Sequence, residues 1–309
     1  MTVNTVPDLI TTITHQLNGI LLGKENQVKL ALACFLARGH LLIEDLPGMG
    51  KTTLAHGLAK VLGLDFQRIQ FTSDLLPGDI VGVSVFDTDT NEFKFRHGPV
   101  FTQILMADEI NRTSPRTQSA LLEAMSENQV TVDGVTRHLD QHFFVVATQN
   151  SQHQTGTFPL PESQLDRFTM RLSLGYPDPE SERALLSGFD TKNLLLTLPT
   201  AVKSQQLKLL QLNVSEIAVS EQLLSYLQRL LAFTRESGAF DCGLSPRAGM
   251  AWLHCAKAWA LIHRRKHVLP DDLRQLMLPI VGHRLLPQAQ ESTARSAVEK
   301  ILAAVPVVQ

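Results

Sequence analysis

Asp45-Leu46-Pro47-Gly48-Met49-Gly50-Lys51-Thr52-Thr53 lies between a short apolar run, His40–Glu44 (HLLIE), and a helical pattern, Lys51–Leu62. A glycine-bearing turn that leaves a strand and opens a helix on Gly-Lys-Thr has the layout of a phosphate-binding loop. Glycines let successive backbone N–H groups curl around phosphate oxygens, and the helix N-terminus adds positive partial charge. Lys51 is placed to reach β- and γ-phosphates, and the Thr52 hydroxyl to ligate Mg²⁺. Pro47, Gly48, Met49, Gly50, Lys51, Thr52 and Thr53 are therefore the candidate nucleotide-binding residues. One position departs from G-x-x-x-x-G-K-[ST]: Asp45 stands where the first glycine is usual. A carboxylate there is tolerable only if its side chain turns away from the phosphates.

Outward from the loop, short apolar segments alternate with helical ones. Val6–Leu22, Glu25–Ala37 and Ser114–Asn128 have helical spacing. Phe66–Phe71, Ile104–Glu109, Phe143–Asn150 and Met170–Leu174 read as strands. That rhythm predicts an α/β fold, a parallel sheet covered by helices on both faces. Two stretches alternate at period two instead. Val83–Asp87 with Glu92–Arg96, and Gln129–Leu139 around Asp133-Gly134, predict two inserted β-hairpins. After Pro177-Asp178-Pro179 the strands stop and helical segments follow, at Glu180–Phe189, Ser204–Leu212, Ser220–Ser237, Ser245–His263 and Asp271–Leu285. The expected division is a nucleotide-binding core over 1–176 and an all-α lid over 177–309, matching the soft prior of about 150 residues per domain for 309 residues.

Charge and composition narrow the function. Hydrophobic residues are 44% and charged residues 19%, which excludes a largely disordered chain. The formal net charge of −2 gives no global field to hold the chain on DNA or an anionic membrane. The Arg264-Arg265-Lys266-His267 run reads as a solvated helix end. Cys34, Cys242 and Cys255 form no CxxC or Cys/His cluster, so buried free thiols in a reducing compartment are expected. No basic-then-apolar leader and no apolar run of about 18 residues is present, so a cytoplasmic protein without direct membrane insertion is expected.

Further candidates lie at strand ends. Met106-Ala107-Asp108-Glu109 closes an apolar strand at the carboxyl edge of the sheet, where ligands of open α/β sheets bind. Asp108 suits holding Mg²⁺ through water, and Glu109 suits polarising the attacking water. Asn150 ends the next strand, where a neutral amide can orient water without adding charge. Arg167, in Leu165-Asp166-Arg167-Phe168, is expected to lie too far around the domain for its own nucleotide. It fits the role of an arginine finger supplied across a subunit interface. Arg247 opens a helix after Ser245-Pro246 and is placed to touch a γ-phosphate and couple the lid to nucleotide state.

The order of these motifs resembles the AAA+ ATPases. Ala107-Asp108-Glu109-Ile110-Asn111-Arg112, Gln118-Ser119-Ala120-Leu121-Leu122-Glu123-Ala124-Met125, Phe158-Pro159-Leu160-Pro161-Glu162 and Leu165-Asp166-Arg167-Phe168 are similar to the MoxR family. The resemblance covers nearly the whole chain. It implies an AAA+ core with a helical lid, ATP/ADP and Mg²⁺ as cofactors, and the Val83–Arg96 hairpin as the helix-2 insert. It also implies Asn150 as sensor 1, Arg167 as a finger in trans and Arg247 as sensor 2, acting on its own or a neighbour's nucleotide. Homo-hexameric rings, protein clients and von Willebrand factor A domain partners come with the family, in remodelling, maturation or metal loading. Asp45 is familiar there; Ser151 where Pro is usual, and His153 where an acidic residue is common, are departures. Three other readings stay open: a nucleotide-controlled scaffold with little turnover, a DNA-handling motor, and a chelatase-type motor.

Overall fold

The computed structural model describes residues 5–149, 156–285 and 293–307. Its strands are β1 (Leu41–Glu44), β2 (Phe66–Gln70), β3 (Gly82–Asp87), β4 (Glu92–His97), β5 (Ile104–Asp108), β6 (Gln129–Val132), β7 (Val135–His138), β8 (Phe144–Gln149) and β9 (Met170–Leu172). Among the described residues, five of them form one parallel sheet in the order β2-β5-β8-β1-β9. Alternate side chains on these strands serve opposite faces. Leu41, Ile43, Ile104, Met106, Phe144 and Val146 enter one apolar cluster, while Leu42, Leu105, Ala107, Val145 and Ala147 enter the other. Burial on both faces is why these strands read as continuous apolar runs. Each large side chain so buried stabilises by about 1.5–3 kcal/mol.

The helices up to β9 are α1 (Val6–Asn18), α2 (Glu25–Leu36), α3 (Lys51–Leu62), α4 (Pro77–Val81), α5 (Pro115–Glu127) and α6 (Glu162–Leu165). After β9 come α7 (Pro179–Leu186), α8 (Thr191–Thr197), α9 (Ser204–Glu216), α10 (Glu221–Glu236), α11 (Pro246–Ile262), α12 (Pro270–Val281) and α13 (Ala294–Ala304). The expected change from mixed to all-helical structure is present. α4, α6, α8 and α13 have no counterpart in the sequence reading; α4, α6 and α8 are each shorter than two turns, too short for a periodic signal. Residues of α9, α11 and α12, including Leu207, Trp252 and Leu276, share the cluster that also holds Leu41 and Ile104. The helical region is thus packed on the core.

Both expected hairpins are two-stranded sheets of their own, β3–β4 and β6–β7. Asp133 and Gly134 both have positive φ, the geometry that Asp-Gly turns supply. Two expectations need correction. Cys34 and Cys255 are buried, but Cys242 is exposed, in the loop between α10 and α11. The basic run is not wholly solvated, because Arg265 makes two bonds, of 2.6 and 2.7 Å, to the buried Asp272 carboxylate.

Candidate nucleotide site

β1 ends at Glu44 and α3 begins at Lys51, so residues 45–50 form the turn at the carboxyl edge of the sheet. Gly48 and Gly50 take φ of 84° and 90°, a region closed to most side chains. Asp45 does turn away. Its Oδ2 accepts from the Leu174 and Gly175 N–H groups at 2.6 and 2.7 Å and from Ser173 Oγ at 3.1 Å. Its Oδ1 accepts from the Leu46 N–H at 2.8 Å. The carboxylate therefore ties the loop to the segment after β9 and spends its charge on backbone donors, which answers the repulsion argument.

Pro47, Gly48, Gly50, Lys51, Thr52 and Thr53 line a cavity of about 350 Å³ with Arg68, Asp108 and Glu109. Lys51 Nζ donates to the Asp45 carbonyl at 2.7 Å. Burial pulls its ammonium pKa down, while the carboxylates of Asp45, Asp108 and Glu109 push it back up. Met49 lines an adjoining cleft of about 560 Å³ that shares Gly48, Gly50 and Thr53. This cleft is walled by Ile20 and Leu21 after α1, by Tyr176 and Pro177, and by Leu186 and Leu195 of α7 and α8. A cavity holding Lys51, Arg68 and the acidic pair, beside an apolar cleft, fits a nucleotide with its base between α1 and helices α7 and α8.

The acidic pair is tightly organised. Thr148, fully buried on β8, donates to Asp108 Oδ1 at 2.5 Å and accepts from the Glu109 N–H at 2.9 Å. Glu109 itself has φ 56° and ψ 49°, left-handed backbone that a side chain rarely adopts. Such a residue costs about 1–3 kcal/mol and persists where its surroundings fix it. Here the fixing groups are Thr148, Gln70 Nε2 at 2.9 Å and Arg112 Nε at 3.0 Å from the carboxylate. Thr52 and Asp108 share the cavity with the phosphate-directed N–H groups, so the donor set fits Mg²⁺ carried on a nucleotide. Among the described residues no cluster of three or more His, Cys, Asp or Glu offers a metal a site by itself.

Sequence reasoning missed Arg68, Gln70 and Thr148. Each is a polar residue on a strand beside Asp108 or Glu109, and only the strand order reveals the neighbourhood. β2 and β8 both flank β5, with Gln70 in register with Asp108. Asn150, Ser151 and His153 lie outside the described residues.

Arg167 and Arg247 sit elsewhere. The Thr169 N–H donates to the His40 carbonyl, just before β1, so the Arg167 segment lies at the amino edge of the sheet. The P-loop lies at the other end of β1, about 13 Å away for four residues at 3.3 Å each. Arg167 Nη1 donates to the Leu122 carbonyl at 2.6 Å and to Ser126 Oγ, both on α5. It makes no ion pair with Asp166, whose carboxylate belongs to the buried Arg284 at 2.7 Å. Ser245, at the start of α11, caps that helix through Ala248 and donates to Asp166 at 3.1 Å. This docking carries the exposed Arg247 to the same edge, near His40 and outside both cavities at the P-loop. Arg247 therefore lies away from the P-loop of the same chain, because Ser245 anchors α11 to the amino edge.

A strand–loop–helix phosphate cradle, an adjacent Asp-Glu pair and a C-terminal helical region packed on the sheet domain define a P-loop ATPase of the AAA+ type. Comparisons agree. Residues 40–170 match the family model described as "ATPase family associated with various cellular activities (AAA)", and residues 232–302 match the AAA lid domain. YeaC of Bacillus subtilis is 43% identical over 97% of this chain and 95% of its own. Chaperone MoxR1 of Mycobacterium tuberculosis is 37% identical over 86% of this chain and 73% of its own. A crystal structure of a candidate ATPase from Cytophaga hutchinsonii superposes with a TM-score of 0.89 at 34% identity, covering 98% of this chain and 96% of that one. The chain belongs to the MoxR family of AAA+ ATPases, and its enzymatic activity is ATP hydrolysis.

Proposed function

We propose that this protein is an Mg²⁺-dependent ATPase that works as a homo-oligomeric ring, a hexamer by family resemblance, and remodels client proteins in the manner of a chaperone. The observation that carries the ring is the separation of the P-loop from Arg167 and Arg247 across the sheet. Arginines at the amino edge meet phosphate only when a neighbouring copy presents its own P-loop. Lys51, Thr52 and the loop amides bind the polyphosphate. Thr52 and Asp108 would hold a magnesium ion, which would supply neutralisation of charge on the phosphoryl group. Glu109 aims the attacking water, with Asn150 as its proposed neutral partner, and Arg167 of one copy stabilises the transferring phosphoryl group of the next. A boundary between core and lid after residue 176 places Pro177, α7 and α8 on the lid side of the base cleft. Lid position then reports nucleotide state.

Protein clients, rather than nucleic acid, are supported by the near-neutral charge and by the naming of MoxR1 as a chaperone. A von Willebrand factor A domain partner and a cytoplasmic site of action remain part of the proposal through the family resemblance. Among the described residues no helix is long and apolar enough to cross a membrane. The test is ATPase activity against protein concentration, with specific activity expected to rise steeply as rings form. Glu109→Gln should keep ATP binding and lower kcat by about 10²–10⁴-fold. Held in ATP, that variant is the trap for clients. Specific activity independent of protein concentration would remove the ring from the mechanism.

A further inference from the structure

Asp108 has two carboxylate oxygens with different partners. Oδ1 is held inside the sheet by Thr148. Oδ2 is paired with Arg68 Nη2 at 2.5 Å. Arg68 comes from β2, the edge strand, and its side chain is 49% exposed while that of Asp108 is 12% exposed. One end of this pair is therefore fixed and the other is on a long, solvated stem. Arg68 also lines the same cavity as Lys51, Thr52 and Glu109.

We propose that Arg68 is a residue of the nucleotide site that competes with the divalent cation for Asp108 and so sets how strongly ATP binding depends on Mg²⁺. The inference rests on the ATPase reading above. A guanidinium and a magnesium ion with its waters cannot both sit against Oδ2. Loading the metal requires Arg68 to swing off the carboxylate. Its half-exposed stem leaves it room to do so. Breaking an exposed ion pair costs little, so the competition is a modest bias.

The experiment measures the Kd of a fluorescent ATP analogue in EDTA and in excess Mg²⁺ and divides the EDTA value by the Mg²⁺ value. Arg68→Met is expected to raise that ratio by about three- to fivefold over wild type, the scale of an exposed pair. Arg68→Lys, which keeps the charge, is expected to stay within about twofold of wild type, and Asp108→Asn should lower the ratio and make it the same with either residue at position 68. An unchanged or smaller ratio in Arg68→Met overturns the proposal. So does equal weakening in both conditions, which would make Arg68 a phosphate ligand alone. Lys51→Ala separates this from the underlying reading: if wild type binds no nucleotide in a Lys51-dependent way, the ATPase site itself fails, whatever Arg68 does.

Discussion

The two edges of the central sheet are built by different means. At the carboxyl edge one short piece of chain, Pro47 to Thr53, supplies most of the phosphate cradle, and the end of β5 supplies the acids. At the amino edge Arg167 and Arg247 come from distant parts of the sequence and are gathered by part-buried polar contacts. Arg284 is the hub. It bonds Asp166 and the carbonyls of Phe168, Thr169 and Ile280, joining the Arg167 segment to α12 of the lid. A cradle for phosphate can be local because backbone N–H groups are its ligands. The arginines of the amino edge are carried on a frame of contacts distant in sequence, and that frame is tertiary.

Variants that affect one edge alone separate these roles. Arg167→Ala is expected to lower kcat by about 10³–10⁵-fold while the Kd for ATP stays within about twofold. Stopped ATP binding in that variant would mean that the edges are not separate. Arg284→Met leaves the Asp166 carboxylate without its cation and is expected to destabilise the fold by about 3 kcal/mol in a urea melt. Its activity loss should exceed any loss in nucleotide affinity, since the P-loop side is untouched.

Acid should also act on the amino edge first. His40 Nδ1 accepts from the Val145 N–H at 3.0 Å, and Nε2 faces the Met125 carbonyl at 3.2 Å, which fixes a neutral imidazole with the proton on Nε2. Burial pushes its pKa from 6.5 down to about 4, with the Met125 carbonyl opposing and Arg247 assisting. The unfolded chain therefore binds the extra proton between about pH 6.5 and 4, and stability falls as pH drops through that window. The loss is at most about 3 kcal/mol, an upper bound because the residue is only part-buried. Buried His283, bonded to the Phe168 carbonyl, is pushed down chiefly by burial and adds in the same direction. Thermal melts from pH 7 to pH 4 read this out, and a His40→Gln variant should flatten the curve.

How much was legible follows the same division. Gly48, Gly50, Lys51, Asp108 and Glu109 declared themselves because strand, turn and helix patterns are short-range, and the doubly covered sheet was visible in its apolar runs. Asp45 poses a problem whose solution, the N–H groups of Leu174 and Gly175, lies at the end of the neighbouring strand β9. Arg68 and Thr148 were silent because parallel neighbours are set by strand order, which periodicity does not encode. Arg247 was placed correctly on a helix start, but its edge depended on Ser245 meeting Asp166. The structure, not the pattern, assigns it to the side away from its own P-loop.

The central claim is that Arg167 serves a neighbour's nucleotide. Lys51→Ala cannot bind ATP and Arg167→Ala cannot complete the transition state, so each should be nearly inactive by itself. Mixed in equal amounts, they should form interfaces that pair an intact P-loop with an intact Arg167. ATPase activity is expected to reappear on mixing and to rise with total protein. Mixtures that stay as inactive as the separate variants, under conditions where the two co-assemble, would contradict it.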